Sequence, residues 1–188
     1  MQRPLFLTGM MGCGKTTVGR SFALDRGLAL VDLDHRLERL FGVAVPELLA
    51  HGEQQFRARE SEALASLLAE PGFGQRAVVV ATGGGAVLDA ENRRAMDAVG
   101  TRVYLEVGVD ALVRRLRPDV EAQADARPLL GGDTARLRQR VAELLTARRS
   151  IYRSGARCID ADADPSTVVT RVAIALGETD ESRGSEAV

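Results

Sequence analysis

Gly9-Met10-Met11-Gly12-Cys13-Gly14-Lys15-Thr16, directly after the apolar run Leu5-Phe6-Leu7, fills the pattern G-x-x-x-x-G-K-[ST]. Glycines at these positions let the backbone curl so that several N–H groups converge on one anion. The Lys15 ammonium can then reach β- and γ-phosphates, and the Thr16 hydroxyl can ligate Mg2+. Context decides whether such a match is a phosphate-binding loop: it needs a strand before it and a helix after it. Both are predicted, the strand over 5–8 and the helix over 15–26, with Val18 and Phe22 four apart on one face. The positive end of that helix would act on the same anion.

The rest of the composition narrows the class. A chain of 188 residues, 45% hydrophobic and 27% charged, suits one soluble domain with a core large enough to need no disulfide or metal staple. Net charge is −1 and there is no basic run, which argues against a nucleic-acid-binding surface. Small acidic substrates remain compatible, because a few local arginines would serve them. The two cysteines, Cys13 and Cys158, have no C-x-x-C partners, so a reducing cytoplasm is expected. Neither a signal peptide nor an apolar run of membrane-spanning length is apparent.

Short apolar runs alternate with helical patterns, which predicts an α/β fold with a parallel sheet covered on both faces. Strands are expected over 5–8, 29–32, 77–82, 102–106 and 157–160. Helices are expected over 15–26, 34–41, 54–69, 89–98, 108–116, 134–153 and 165–176. Two stretches break the alternation. The chain reads as extra helices over 43–70, so that 34–70 suits a substrate-binding insertion, and the polar segment 116–128 suits a mobile lid. A single domain over 1–176 and a disordered polar tail over 177–188 complete the expectation.

Three groups outside the loop bear on chemistry. Val78 to Thr82 ends in Gly83-Gly84-Gly85 rather than in the aspartate that often supports Mg2+ beside a phosphate loop. Three successive glycines are costly in entropy and make sense where backbone must approach a ligand. The carboxylates appear instead as Asp32-Leu33-Asp34. In an extended segment Asp32 and Asp34 would face one crevice, one assisting the metal and the other an acceptor hydroxyl; alternatively Asp34 is only the N-cap of the next helix. Finally, Arg57 sits three residues before Glu60 on a helix, while Arg148 precedes Tyr152 by four and Arg127 precedes Pro128. Guanidinium forks suit carboxylates and phosphates, although most arginines in an Arg-rich chain are solvated surface.

In order along the chain, Gly9 to Thr16, Asp32-Leu33-Asp34, Gly52-Glu53-Gln54-Gln55-Phe56-Arg57 with Glu60, Gly83-Gly84-Gly85, Arg127-Pro128-Leu129-Leu130, and Arg148 with Tyr152 resemble the shikimate kinase family. The resemblance implies a nucleoside monophosphate kinase-like phosphate-loop fold, with a five-stranded parallel sheet in order 2-3-1-4-5. It also implies transfer of the ATP γ-phosphoryl to the 3-hydroxyl of shikimate, a reaction of aromatic amino acid biosynthesis. A monomer is expected on separate grounds, because no apolar helix face is left obviously unmatched. Gly12, Cys13, Gly14, Lys15, Thr16 and Thr17 would cradle the phosphates, and Thr16 with Asp32 would hold Mg2+. Asp34 would bind shikimate hydroxyls and take or orient the proton of the attacking one. Arg57 and Arg148 would pair with the shikimate carboxylate, Glu60 would buttress Arg57, and Gly83, Gly84 and Gly85 would line the substrate. Arg127 would meet the transferring phosphoryl, with Lys15 and Asp34 as its catalytic partners, and Arg115 would lie along the adenine.

Two other readings share the loop. A kinase for another hydroxy acid such as gluconate would not be expected to combine Asp-x-Asp, triple glycine and Phe56-Arg57. A nucleotide-controlled switch is a different class. Its guanine form needs Asn-Lys-x-Asp, whereas Asn92 is followed by Arg93, and its adenine form leaves Asp34, Arg57 and Arg148 without purpose.

Overall fold

Side chains of a strand alternate between faces, so a strand buried at every position must be covered on both sides. That holds for β1 (Leu5–Thr8) and β3 (Val78–Ala81). In the computed structural model, which describes residues 2–122 and 134–178, these two strands form the centre of the sheet. β2 (Ala29–Asp32) and β5 (Arg157–Asp160) are its more exposed edges, and β4 (Thr101–Glu106) lies between β1 and β5. All pairings are parallel and the order is β2-β3-β1-β4-β5, with Leu5 opposite both Val79 and Thr101. The expected strand order is therefore the observed one.

Helix α1 (Lys15–Asp25) buries Val18, Gly19, Phe22 and Ala23, and packs on β2, β3 and α8 (Pro165–Ala175). Between β2 and β3 run α2 (Leu33–Phe41), α3 (Val45–Ala50) and α4 (Glu53–Leu68), which pack on one another. A 3-10 turn over Phe73–Gln75 leads into β3, and another over Ala86–Leu88 leads out of it. α5 (Ala90–Val99) precedes β4, and α6 (Val109–Ala122) packs against α7 (Thr134–Arg153). No helix among the described residues is long and apolar enough to cross a membrane.

α6 runs six residues further than the pattern suggested, with Pro118 inside it. Proline removes one i→i−4 hydrogen bond, a local cost. Here Ala111, Leu112 and Leu116 are buried on the same helix and Leu137 and Val141 on α7, so packing outweighs it. The rest of the expected lid, including Arg127, and the tail over 179–188 lie outside the described residues. Gly177 and Glu178 are described, and Glu178 Oε2 accepts from Arg26 Nε at 2.9 Å.

Candidate active site

All strands point the same way, so β1, β2 and β3 deliver their carboxyl ends to one side of the sheet, where crevices of open α/β sheets hold ligands. A cavity of about 800 Å3 opens there. Its lining includes Gly12, Cys13, Gly14, Lys15, Thr16, Thr17, Asp32, Asp34, Arg57, Gly84, Gly85, Arg115 and Arg148. The sequence-predicted residues thus converge from six separate segments, with two exceptions. Gly83 stands just behind the wall, and Arg127 lies outside the described residues.

The loop forms the donor end. Gly12 and Gly14 have φ of +79° and +97°, and a Cβ at Gly12 would press on Leu116 of α6 at 2.8 Å, so glycine is required there twice over. Cys13 N donates to Met10 O at 3.1 Å and Val18 N to Gly14 O at 2.8 Å. The N–H groups of Gly12, Gly14, Lys15, Thr16 and Thr17 find no acceptor among the described residues, which is the arrangement of an anion nest at a helix N-terminus. Lys15, the only lysine in the chain, folds its ammonium onto the loop, donating to Gly9 O at 2.9 Å and Met10 O at 3.1 Å.

Asp32 ends β2 and caps α2. Its Oδ1 accepts from Asp34 N at 3.1 Å and His35 N at 3.3 Å, while its Oδ2 accepts from the Thr16 hydroxyl at 2.8 Å. The extended Asp-x-Asp arrangement therefore gives way to a strand end followed at once by a helix, and the N-cap is Asp32 rather than Asp34. Asp34 instead occupies the first turn of α2, and no hydrogen bond to its side chain occurs among the described residues. Burial pushes its carboxyl above the ordinary value, Lys15 pulls it back, and Asp32 pushes it up again. Thr16 and Asp32 offer one hydroxyl and one carboxylate, and no cluster of three metal-ligating side chains occurs among the described residues. That donor set fits Mg2+, which keeps much of its shell as water and phosphate oxygen.

Charged side chains from α4 and α7 line the cavity as well. Arg57 Nη1 donates to Glu60 Oε2 at 2.7 Å, and its Nη2 donates to Glu53 Oε1 at 3.3 Å. Glu60 is buried, which pushes its carboxyl up against the pull of Arg57. Arg148, buried on α7, has Nη2 3.8 Å from the same Glu53 oxygen. Arg57 Nε and Arg148 Nη1 are buried without hydrogen-bond partners among the described residues, as is Glu60 Oε1.

The triple glycine makes room for these groups. A Cβ at Gly83 would overlap the Glu60 carboxylate, and one at Gly85 would overlap the Arg57 guanidinium. The N–H groups of Gly83, Gly84 and Gly85 have no acceptor among the described residues. Tyr152 OH donates to Gly84 O at 2.5 Å and fixes the orientation of that peptide. Burial pushes the Tyr152 hydroxyl up to about 12, so it keeps its proton to donate. Arg115 Nη1 donates to Cys13 O at 3.3 Å and Nη2 to Ala161 O at 3.1 Å, tying the phosphate loop to the segment that leads into α8.

Three contributors were given no role from the sequence, although Glu53 and Tyr152 stand within its motifs. α3 adds Val45, Pro46 and Leu49 to the cavity wall, Tyr152 reaches the glycine floor, and Glu53 bridges the two arginines. Only Glu53 left a usable signal, its i,i+4 spacing from Arg57 on one helix.

Comparison with known proteins agrees with this geometry. The family model for shikimate kinase matches residues 11–176. Shikimate kinase 2 of Sodalis glossinidius (strain morsitans) is 44% identical over 174 residues, covering 92% of this chain and 94% of its own. A shikimate kinase from Acinetobacter baumannii, solved in complex with shikimate, superposes with a TM-score of 0.82 at 32% identity, covering 96% and 97% of the two chains. A gluconokinase from Sinorhizobium meliloti 1021 shares the fold alone, with a TM-score of 0.59 at 16% identity over 94% and 92% of the chains. On these matches, together with a phosphate loop that faces paired arginines across one cavity, the chain belongs to the shikimate kinase family.

Proposed function

We propose that the protein transfers the γ-phosphoryl group of ATP to the 3-hydroxyl of shikimate, giving shikimate 3-phosphate and ADP. One observation supports this reading above the others. In the same cavity as the phosphate loop, Arg57 Nε and Arg148 Nη1 are buried donors without partners among the described residues. An unsatisfied buried donor costs on the order of 1–3 kcal/mol, more when charged, and a carboxylate is the group whose geometry satisfies guanidinium forks. A hydroxylated acid therefore suits the acceptor end better than a neutral polyol. The Acinetobacter baumannii relative carries shikimate in its solved complex.

In this reading Gly12 to Thr17 hold the triphosphate through their free amides, and Arg115 flanks the nucleotide base. Arg57 and Arg148 clamp the acid carboxylate, Glu60 holds Arg57, and the amides of Gly83, Gly84 and Gly85 receive the ring hydroxyls. Asp34 orients the attacking hydroxyl and takes its proton, a role favoured by a carboxyl raised through burial. Lys15, and Arg127 from a lid that follows α6 in sequence, supply positive charge where the phosphoryl passes. Mg2+ held by Thr16 and Asp32 would add a further charge on the phosphate oxygens. Closure of the lid keeps water from accepting the phosphoryl instead.

The protein acts as a cytoplasmic monomer in this account, with no nucleic acid or membrane partner. Its cysteines are both free, and its exposed large hydrophobics among the described residues, Leu24, Leu40 and Ile174, are few. The test of the chemistry is Asp34→Asn. Single-turnover transfer should fall by at least roughly 100-fold, the usual share of a positioned general base, while ATP binding changes little. Loss of both together would assign Asp34 to metal binding or folding instead.

A further inference from the structure

Glu53 and Glu60 both engage Arg57, but in very different settings. Glu60 is 1% exposed and holds Nη1 at 2.7 Å. Glu53 is 51% exposed and holds Nη2 at 3.3 Å, and the same oxygen lies 3.8 Å from Nη2 of Arg148. Glu53 begins α4 just after Gly52, whose φ is +113°, and its side chain caps no backbone amide. Its carboxylate is therefore committed to the two guanidiniums and to nothing else among the described residues.

Charge makes the arrangement informative. Arg57 and Arg148 come from different helices and both face the cavity, so together they form a like-charged pair with limited access to water. Glu60 faces one of the two positive charges at 2.7 Å and, being buried, has nowhere to turn. Glu53 offsets the other, but from the cavity mouth, where its side chain can rotate into solvent at small cost. A half-exposed ion pair of this kind contributes little to stability, so giving it up is cheap.

We propose that Glu53 is a place-holding carboxylate: it neutralises the Arg57–Arg148 clamp while the site is empty and yields that position to the carboxylate of the acid substrate. This inference rests on the acid clamp of the proposed function. One anion replaces another, so the buried arginines are never left as an uncompensated pair. A neutral polyol has no charge with which to displace Glu53 and meets a clamp already occupied. Glu53 is thus a specificity-determining residue, and part of the substrate's binding energy goes into displacing it.

Removing its charge therefore tightens substrate binding rather than weakening it. In Glu53→Gln, direct titration with shikimate should show a Kd lowered roughly two- to fivefold, the scale of one partly exposed ion pair. The gain should appear in KM more than in kcat, and should shrink as NaCl rises, because chloride now competes for an uncompensated positive site. A residue that merely held Arg57 in place would give the opposite sign. An unchanged or raised Kd in a folded variant, with the wild-type protein phosphorylating shikimate normally, overturns the inference and leaves the proposed function standing. Failure of both proteins to bind shikimate overturns the two together.

Discussion

Asp34 places opposing demands on the empty protein and on the reaction. A carboxyl raised by burial binds its proton more tightly in the folded state than in the unfolded chain. Stability therefore falls as pH rises from the unfolded value through the folded one, and the penalty is fully present above both. Asp34→Asn should remove that penalty while abolishing catalysis. Thermal denaturation of the ligand-free protein near pH 7 should show a Tm higher by roughly 2–4 °C per 1 kcal/mol relieved. The difference should vanish near pH 3, where the wild-type carboxyl is also protonated. Arg148 makes a different demand, because its planar fork presents buried donors at fixed angles. Arg148→Lys keeps the charge and loses the fork, so KM for shikimate should rise about tenfold or more while KM for ATP stays within about twofold. An unchanged KM for shikimate would remove Arg148 from the clamp.

At the scale of elements, α4 is the scaffold of the acceptor end. Glu53, Arg57 and Glu60 follow at i, i+4 and i+7 and so share one helix face, which the segment after β3 meets with three glycines instead of side chains. Gly85→Ala should push the Arg57 guanidinium off Glu60. The expected cost is about 1–3 kcal/mol in denaturant unfolding, typical of overpacking, with a raised KM for shikimate. Wild-type values for both would mean that the helix and the glycine turn are not coupled. The Arg57–Glu60 pair was legible because both residues lie on one helix at a spacing that forces contact. Asp32 and Asp34 were only half legible. Either aspartate can cap a helix, and the choice fell to Asp32 because the strand ends on it beside Thr16. α3 fell within the stretch 43–70 read as extra helices but was given no bounds, being too short to show a period, whereas α6 was ended before Pro118 because its buried contacts with α7, invisible in the local pattern, outweigh a local penalty.

The whole molecule is a parallel sheet whose carboxyl edge gathers a donor end and an acceptor end into one cavity. The parallel sheet was legible in the alternation of apolar runs with helical periods, and its strand order only through the family likeness that the motifs carry. What the sequence could not display are contacts between distant segments, such as Tyr152 with Gly84 or Arg115 with Cys13 and Ala161. Each joins residues tens of positions apart with no local pattern to announce it. Such ties hold distant segments of the cavity wall together. The most direct measurement is ADP release from ATP and Mg2+ in a coupled assay, with shikimate, quinate, gluconate and nucleoside monophosphates offered separately. Turnover with shikimate far above the ATPase background and above every other acceptor is the predicted result. Shikimate turnover no higher than background, or a clear preference for gluconate or a nucleotide, would contradict the account.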